Sequence, residues 1–198
     1  MDFLIRFFDV LISLFLLILL SPLLLLIFFL IKISSKGPVI FFQKRVGKDN
    51  VDFTLYKFRT MYVSTSNKSS LTIGKRDNRI TKVGYFLRKY KIDELPQLYN
   101  VLKNDMSIVG PRPELRKYVE MYTDEQRKVL EIKPGITDYA SIHFRNENEL
   151  LAIQSDPEAF YISDVLPVKI RLNSVYASKR NLQVYFVIIF NTLKSVFI

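Results

Sequence analysis

Residues Val10 to Ile31 form 22 consecutive uncharged positions, nearly all Leu, Ile, Phe or Val, whereas the rest of the chain has an ordinary globular mixture. The chain therefore divides into one membrane segment and one cytosol-type domain. As a continuous helix the run would reach about 33 Å, enough to cross a hydrocarbon core of roughly 30 Å. A cleaved signal peptide fits less well: the run is too long, and Ser34 to Gly37 offer no small-x-small pattern. Ser21 and Pro22 stand near its middle, where proline removes one helical hydrogen bond and clashes with the preceding turn. Two readings stay open, a kinked spanning helix and a helix that bends back to the leaflet it entered. Arg6 lies before the run and Lys32, Lys36, Lys44 and Arg45 after it, so basic residues permit both ends to be cytoplasmic. Arg6 and Asp9, three apart, are expected to pair on one helix face at the entrance.

Beyond the run, Val39 to Met61 alternates as a β-hairpin broken at Lys48, Asp49 and Asn50. Val63 to Asn78, rich in Ser, Thr, Lys and Asn, reads as a loop. Lys75, Arg76, Arg79, Lys82, Arg88, Lys89 and Lys91, interleaved with Val83, Phe86 and Leu87, predict an amphipathic helix with a cationic face. Leu95, Leu98, Tyr99 and Leu102 place a helix from about Asp93, with Asp93 as its N-cap and Glu94 and Pro96 in its first turn. On that reading the two acids need be nothing more than a cap. Pro111 and Pro113 stiffen the backbone around Arg112, leaving its guanidinium fork little entropy to lose.

Lys133 to Gly135 read as a turn, Ser155 to Lys169 as a short acidic surface region, and Val184 to Ile198 as a helix that packs on the domain or lies in the membrane interface. The fold class expected is α+β, mainly α. No repeat, P-loop or dinucleotide fingerprint occurs. With no cysteine and one histidine, His143, a metal must be held by oxygen, and a net charge of +10 calls for anionic partners.

In order along the chain stand Arg6 and Asp9, Ser21 and Pro22, Lys57 to Met61 (Lys-Phe-Arg-Thr-Met), Asp93 to Gln97 (Asp-Glu-Leu-Pro-Gln), Asn104 to Glu114 ending Val-Gly-Pro-Arg-Pro-Glu, and Lys133 to Thr137 (Lys-Pro-Gly-Ile-Thr). In that order they resemble the bacterial sugar transferases, monotopic phosphoglycosyl transferases that start glycan assembly on undecaprenyl phosphate. The resemblance covers roughly residues 3 to 195. It implies a re-entrant helix within residues 1–36, broken at Ser21 and Pro22, and a catalytic domain over residues 37–198 with interfacial helices, on the cytoplasmic face of the bacterial inner membrane. It implies Asp93 as the nucleophile that attacks the β-phosphate of a UDP-sugar and releases UMP, with Glu94 as the second carboxylate. Undecaprenyl phosphate would then take the sugar-1-phosphate, the first membrane step of O-antigen, capsule, exopolysaccharide or glycoprotein assembly. Lys57, Arg59, Arg88 and Arg112 are implied at phosphate or substrate, with Mg²⁺ as the metal and Asp93 as its ligand. The partners implied are the UDP-sugar, the lipid carrier and membrane lipids, and no nucleic acid.

This chemistry is reasonable in itself. A carboxyl-phosphate splits one displacement between two anions into two steps, and cations must neutralise the transferring oxygens. Many relatives carry Gly-Trp-Ala and then Gly-Arg-Asn where this chain has Asp138, Tyr139 and Ala140 and then Phe144, Arg145 and Asn146, so the sugar is not fixed by the resemblance. Two other readings are a membrane-tethered adaptor that binds nucleic acid or lipid through the basic stretch, and a glycosyltransferase that moves the sugar alone and releases UDP.

Overall fold

The computed structural model describes residues 2–63 and 77–197. The chain is mainly helical, with two small two-stranded sheets. The apolar run divides at Leu20 into α1 (Asp2–Leu19) and α2 (Ser21–Ser34), which meet at 63°. The cause is local. Pro22 has no amide hydrogen to offer the carbonyl of Ile18, and the Ser21 hydroxyl donates to that carbonyl instead, at 2.8 Å. Among the described residues no single helix is long and apolar enough to cross a membrane.

Both arms of the bent pair return to the same body. On α1, Ile5, Asp9 and Ser13 recur every four residues and are buried; on α2, Ile27 and Ile31 are buried. The expected Arg6–Asp9 pair does not form. Arg6 donates to the carbonyls of Val101 and Leu102 at 2.6 and 3.0 Å. Asp9 accepts from the Ser107 hydroxyl, the Ile108 amide and the Tyr185 hydroxyl. An exposed i,i+3 pair is worth about 0.3–0.5 kcal/mol, less than satisfying orphan carbonyls at a helix end and buried donors in the core.

The hairpin is present as β1 (Ile40–Val46) and β2 (Asp52–Phe58), antiparallel, with Phe41 opposite Lys57 and Arg45 opposite Phe53. Its turn uses Asp49 and Asn50 at φ 55° and 61°, a left-handed region that short Asx side chains tolerate. Most of the polar segment read as a loop, residues 64–76, lies outside the described residues, and so do Lys75 and Arg76 of the basic stretch. The amphipathic helix is α3 (Lys82–Lys89), capped by Thr81, with Gly84 and Leu87 inward and Phe86 exposed. A Cβ at Gly84 would meet the Thr60 carbonyl oxygen at 2.0 Å, so α3 lies directly on the backbone that follows β2.

The next helix begins later than its periodicity suggests. A 3₁₀ turn, Ile92–Glu94, entered through Lys91 at φ 57°, precedes α4 (Gln97–Leu102), whose N-cap is Pro96. Asp93 is therefore not a cap. Tyr99 is exposed while Gln97, Leu98, Asn100 and Val101 face inward. Strand β3 (Ser107–Val109) then leads to the proline clamp, after which α5 (Arg116–Val119) and α6 (Asp124–Arg127) return the chain to β4 (Gly135–Thr137), parallel to β3. Gly135 opens this strand instead of closing a turn, and its amide donates to the Pro111 carbonyl at 2.9 Å.

The remainder is α7 (Tyr139–His143), α8 (Glu147–Ala152), α9 (Pro157–Phe160), α10 (Leu166–Ser178) and α11 (Leu182–Phe197). The expected acidic surface region at 155–169 is corrected here. Asp156 caps α9, and Tyr161, Val165, Leu166 and Ile170 pack with Val46, Tyr118 and Leu151. Four-residue spacing carries those apolar groups inward while the acids ride outside. Buried Lys169 is balanced by Glu147 at 2.6 Å. On α11, Tyr185 and Ile188 are buried while Phe190 and Leu193 are exposed, so one face packs on the domain and the other is left apolar.

Candidate active site

The site forms where β2, α3, the 3₁₀ turn and the clamp between β3 and α5 converge. Three residues per 3₁₀ turn set Asp93 and Glu94 about 120° apart, so two adjacent acids meet different surroundings. Glu94 Oε1 accepts from Lys57 Nζ at 2.9 Å and from Arg112 Nη2, and Oε2 accepts from Arg112 Nη1 at 3.3 Å. This is a two-pronged guanidinium–carboxylate pair with a lysine added. Burial opposes the Glu94 charge, but Arg112 and Lys57 outweigh it and hold Glu94 well below the usual carboxylate range. The charge of Glu94 in turn pushes the Arg112 pKa up, and burial presses that of Lys57 down against the pull of Glu94.

Asp93 is the opposite case. It is buried, and its Oδ1 has no hydrogen-bond partner among the described residues. Burial first, and the neighbouring charge of Glu94 second, raise its pKa, while Lys57, Arg88 and Lys91 act against them. A buried polar atom without a partner costs about 1–3 kcal/mol, and such a cost is characteristic of functional sites. The arrangement separates two carboxylates by environment: one is saturated with cations, the other is poised and uncommitted.

Arg88 supports this arrangement from α3, where its Nε donates to Thr60 Oγ1 at 2.9 Å and its charge bears on Asp93. Arg112 is fixed more firmly than two prolines alone would fix it. Its amide donates to Asp138 Oδ2 at 3.1 Å, and Arg45 Nη1 donates to the Pro113 carbonyl at 3.1 Å. Asp138 is fully buried and also caps α7. Its role was missed in sequence, because 26 residues separate it from Arg112 and a lone acid after Ile-Thr carries no signal.

Arg59, expected at phosphate, is buried, and its Nε and Nη1 have no hydrogen-bond partner among the described residues. It lies just past β2, and its Nη2 donates to the Ser35 carbonyl and hydroxyl at 2.7 and 2.9 Å, tying the exit of α2 to the domain. His143 is exposed at the end of α7, with its ring edge-on to Phe144. Helix α4 is short, and Asp93 precedes its cap, so the helix N-terminus does not account for the site.

Mg²⁺ can be tested against the donor set. Among the described residues no group of three or more His, Cys, Asp or Glu could cage a metal. Mg²⁺ commonly uses one or two carboxylates and takes its remaining ligands from substrate phosphates and water. The unpartnered Oδ1 of Asp93 fits that mode, whereas both oxygens of Glu94 are already engaged.

A family model described as "Bacterial sugar transferase" matches residues 1–198. The chain is 46% identical over 141 residues to "Uncharacterized sugar transferase EpsL" of Bacillus subtilis (strain 168), covering 71% of this chain and 69% of that protein. It is 46% identical over 127 residues to a UDP-N-acetylgalactosamine-undecaprenyl-phosphate N-acetylgalactosaminephosphotransferase of Aeromonas hydrophila, covering 62% of this chain and 30% of the relative. It is 44% identical over 147 residues to a UDP-glucose:undecaprenyl-phosphate glucose-1-phosphate transferase of Klebsiella pneumoniae, covering 72% and 32%. The match thus spans about a third of each of the last two proteins. The chain belongs to the bacterial sugar transferase family.

Proposed function

We propose that this chain transfers a sugar-1-phosphate from a UDP-sugar to undecaprenyl phosphate and releases UMP, through a covalent bond from Asp93 to phosphorus. The observation that carries this reading is the contrast within the dyad, with Glu94 locked between Lys57 and Arg112 while the buried Oδ1 of Asp93 is unpartnered. In the first step a carboxylate oxygen of Asp93 bonds to the β-phosphorus. The bond from that phosphorus to the bridging oxygen breaks, and the electron pair leaves with UMP. In the second step an oxygen of the lipid phosphate bonds to the same phosphorus and Asp93 is released, with no net proton change.

Lys57, Arg88 and Arg112 offset the charge on the phosphoryl oxygens, and Glu94 holds two of these three in place. Mg²⁺, held by Asp93 and the diphosphate, would supply further charge neutralisation. The relatives named for UDP-sugar and undecaprenyl phosphate support this substrate pair. Incubation with a panel of UDP-sugars and undecaprenyl phosphate tests it. UMP is the expected nucleotide, whereas UDP would indicate transfer of the sugar alone, and RNA binding without turnover would favour an adaptor.

Glu94→Gln gives a signed pH test. Asp93 must be ionised to attack, and its raised pKa lifts the acid limb of kcat/KM above the ordinary carboxylate value of about 3.9. Removing the Glu94 charge removes a cause of that rise and leaves Lys57 and Arg112 unopposed. The acid limb is expected to move to lower pH, whatever the loss in rate, and a shift to higher pH would contradict the assignment.

Residues 1–36 are proposed to enter and leave the inner membrane by its cytoplasmic face, with residues 37–198 as the catalytic domain at that face. In support, α1 docks through Arg6 and Asp9 and α2 through Ile27 and Ile31, all onto one domain. A spanning helix would put its two ends on opposite sides. Phe3→Cys and Lys36→Cys, in a chain with no native cysteine, should both resist an impermeant maleimide from the periplasmic side and react once the cytoplasm is opened. Labelling of either one from outside would establish a span.

A further inference from the structure

Beside the carboxylate pair, and sharing Lys57 and Arg112 with it, a small pocket lies between the hairpin, α4 and the clamp, lined by Arg45, Leu55, Lys57, Gln97, Arg112 and Pro113. The hairpin register puts it there. Arg45, Leu55 and Lys57 fall on the same face of the antiparallel pair, so strand alternation aims two cations into one space. Arg45 is held rigidly for this. Gln43 Oε1 accepts from its Nε and Nη2 at 3.1 and 2.9 Å, the Pro113 carbonyl accepts from its Nη1, and Glu114 lies 3.8 Å away.

Gln97 supplies the second observation. The residue is 2% exposed, and its Nε2 has no hydrogen-bond partner among the described residues. None of the three cations around the pocket can satisfy it, because Lys and Arg only donate. What this wall lacks is an acceptor, and a wall of three cations concentrates anions.

We propose that this pocket is a phosphate-monoester subsite in which Gln97 Nε2 donates directly to a phosphate oxygen and Arg45 supplies charge alongside Lys57 and Arg112. The inference rests on the transfer reading above and names the subsite's ligands. In a displacement at phosphorus the attacking and leaving oxygens stand roughly in line. When Asp93 attacks, UMP leaves from the far side. When the lipid phosphate later displaces Asp93, it must approach from that same far side. Two chemically similar groups, the nucleoside monophosphate and the lipid monophosphate, therefore use one subsite in turn. Lys57 and Arg112, which both line the pocket and hold Glu94, connect this subsite to the carboxylate pair.

The test uses the full chain in lipid nanodiscs, with calorimetry for UMP binding and steady-state kinetics for undecaprenyl phosphate. Gln97→Leu keeps the volume and removes the donor. It should weaken UMP binding roughly tenfold, the loss expected for one hydrogen bond to a charged group, and raise the KM for undecaprenyl phosphate by a similar factor. Gln97→Glu keeps the shape and adds a like charge, so both losses should be larger. UMP affinity within twofold of wild type in both folded variants would overturn the subsite, and a change confined to one of the two ligands would overturn its shared use. UMP release by wild type alongside unaltered variants removes the subsite alone. Absence of UMP release and UMP binding in wild type removes the transfer reading with it.

Discussion

Asp93→Asn should abolish turnover, by at least about a thousandfold, without lowering the melting temperature. The amide is nearly isosteric but cannot form the acyl phosphate bond, so no covalent intermediate can accumulate. Stability should behave differently from activity. In the wild type a carboxylate is buried beside Glu94 with Oδ1 unpartnered, and burial and that neighbouring charge both penalise its ionised form. Neutralising it removes a cost the fold carries for function. Loss of activity with an unchanged or higher melting temperature is the signature of a poised nucleophile. Parallel loss of both would make Asp93 a structural acid, and retained turnover would remove it from the chemistry.

The largest structural effect is expected from Gly135→Ala. A Cβ at Gly135 would lie 2.1 Å from the Gly110 amide nitrogen and 2.6 Å from its carbonyl oxygen. Both neighbours are backbone, and neither can retreat. The Gly110 amide donates to the Thr137 carbonyl at 3.0 Å, Gly135 donates to Pro111 at 2.9 Å, and Ser107 donates to Pro134 at 2.8 Å. Relieving the contact means parting β3 from β4, which also frees the clamp that aims Arg112. A loss above about 4 kcal/mol is expected, corresponding to a fall of roughly 10 °C or more in Tm. A Tm within about 2 °C of wild type would show that the two segments can separate without damage.

What could be read in the sequence was what local rules control. The Ser21–Pro22 break, the hairpin and the amphipathic α3 each follow from residues within a few positions of one another. The dyad and Arg112 stood out through ordered motifs, and the fold brings them together with Lys57. The onset of α4 was misplaced because Leu95, Leu98 and Leu102 keep their spacing whether the helix starts at Asp93 or at Gln97. Left-handed Lys91 inserts a 3₁₀ turn instead, and that turn frees Asp93 from capping.

Arg59 shares a motif with Lys57 but lies beyond the end of β2, where it meets Ser35. Charges at 155–169 concealed a core helix, because acidic groups on its outer face hid the inward spacing of Tyr161, Val165 and Ile170. Asp138, and Arg45 bonded across 68 positions to Pro113, act through long-range contacts that no local pattern encodes.

The central claim is best tested by mixing enzyme with a UDP-sugar that it turns over while withholding undecaprenyl phosphate. A stoichiometric burst of UMP is expected, together with a sugar-phosphate adduct mapped by peptide mass spectrometry to Asp93 and discharged when the lipid phosphate is added. No UMP until the acceptor is present, or an adduct on any other side chain, would contradict the account.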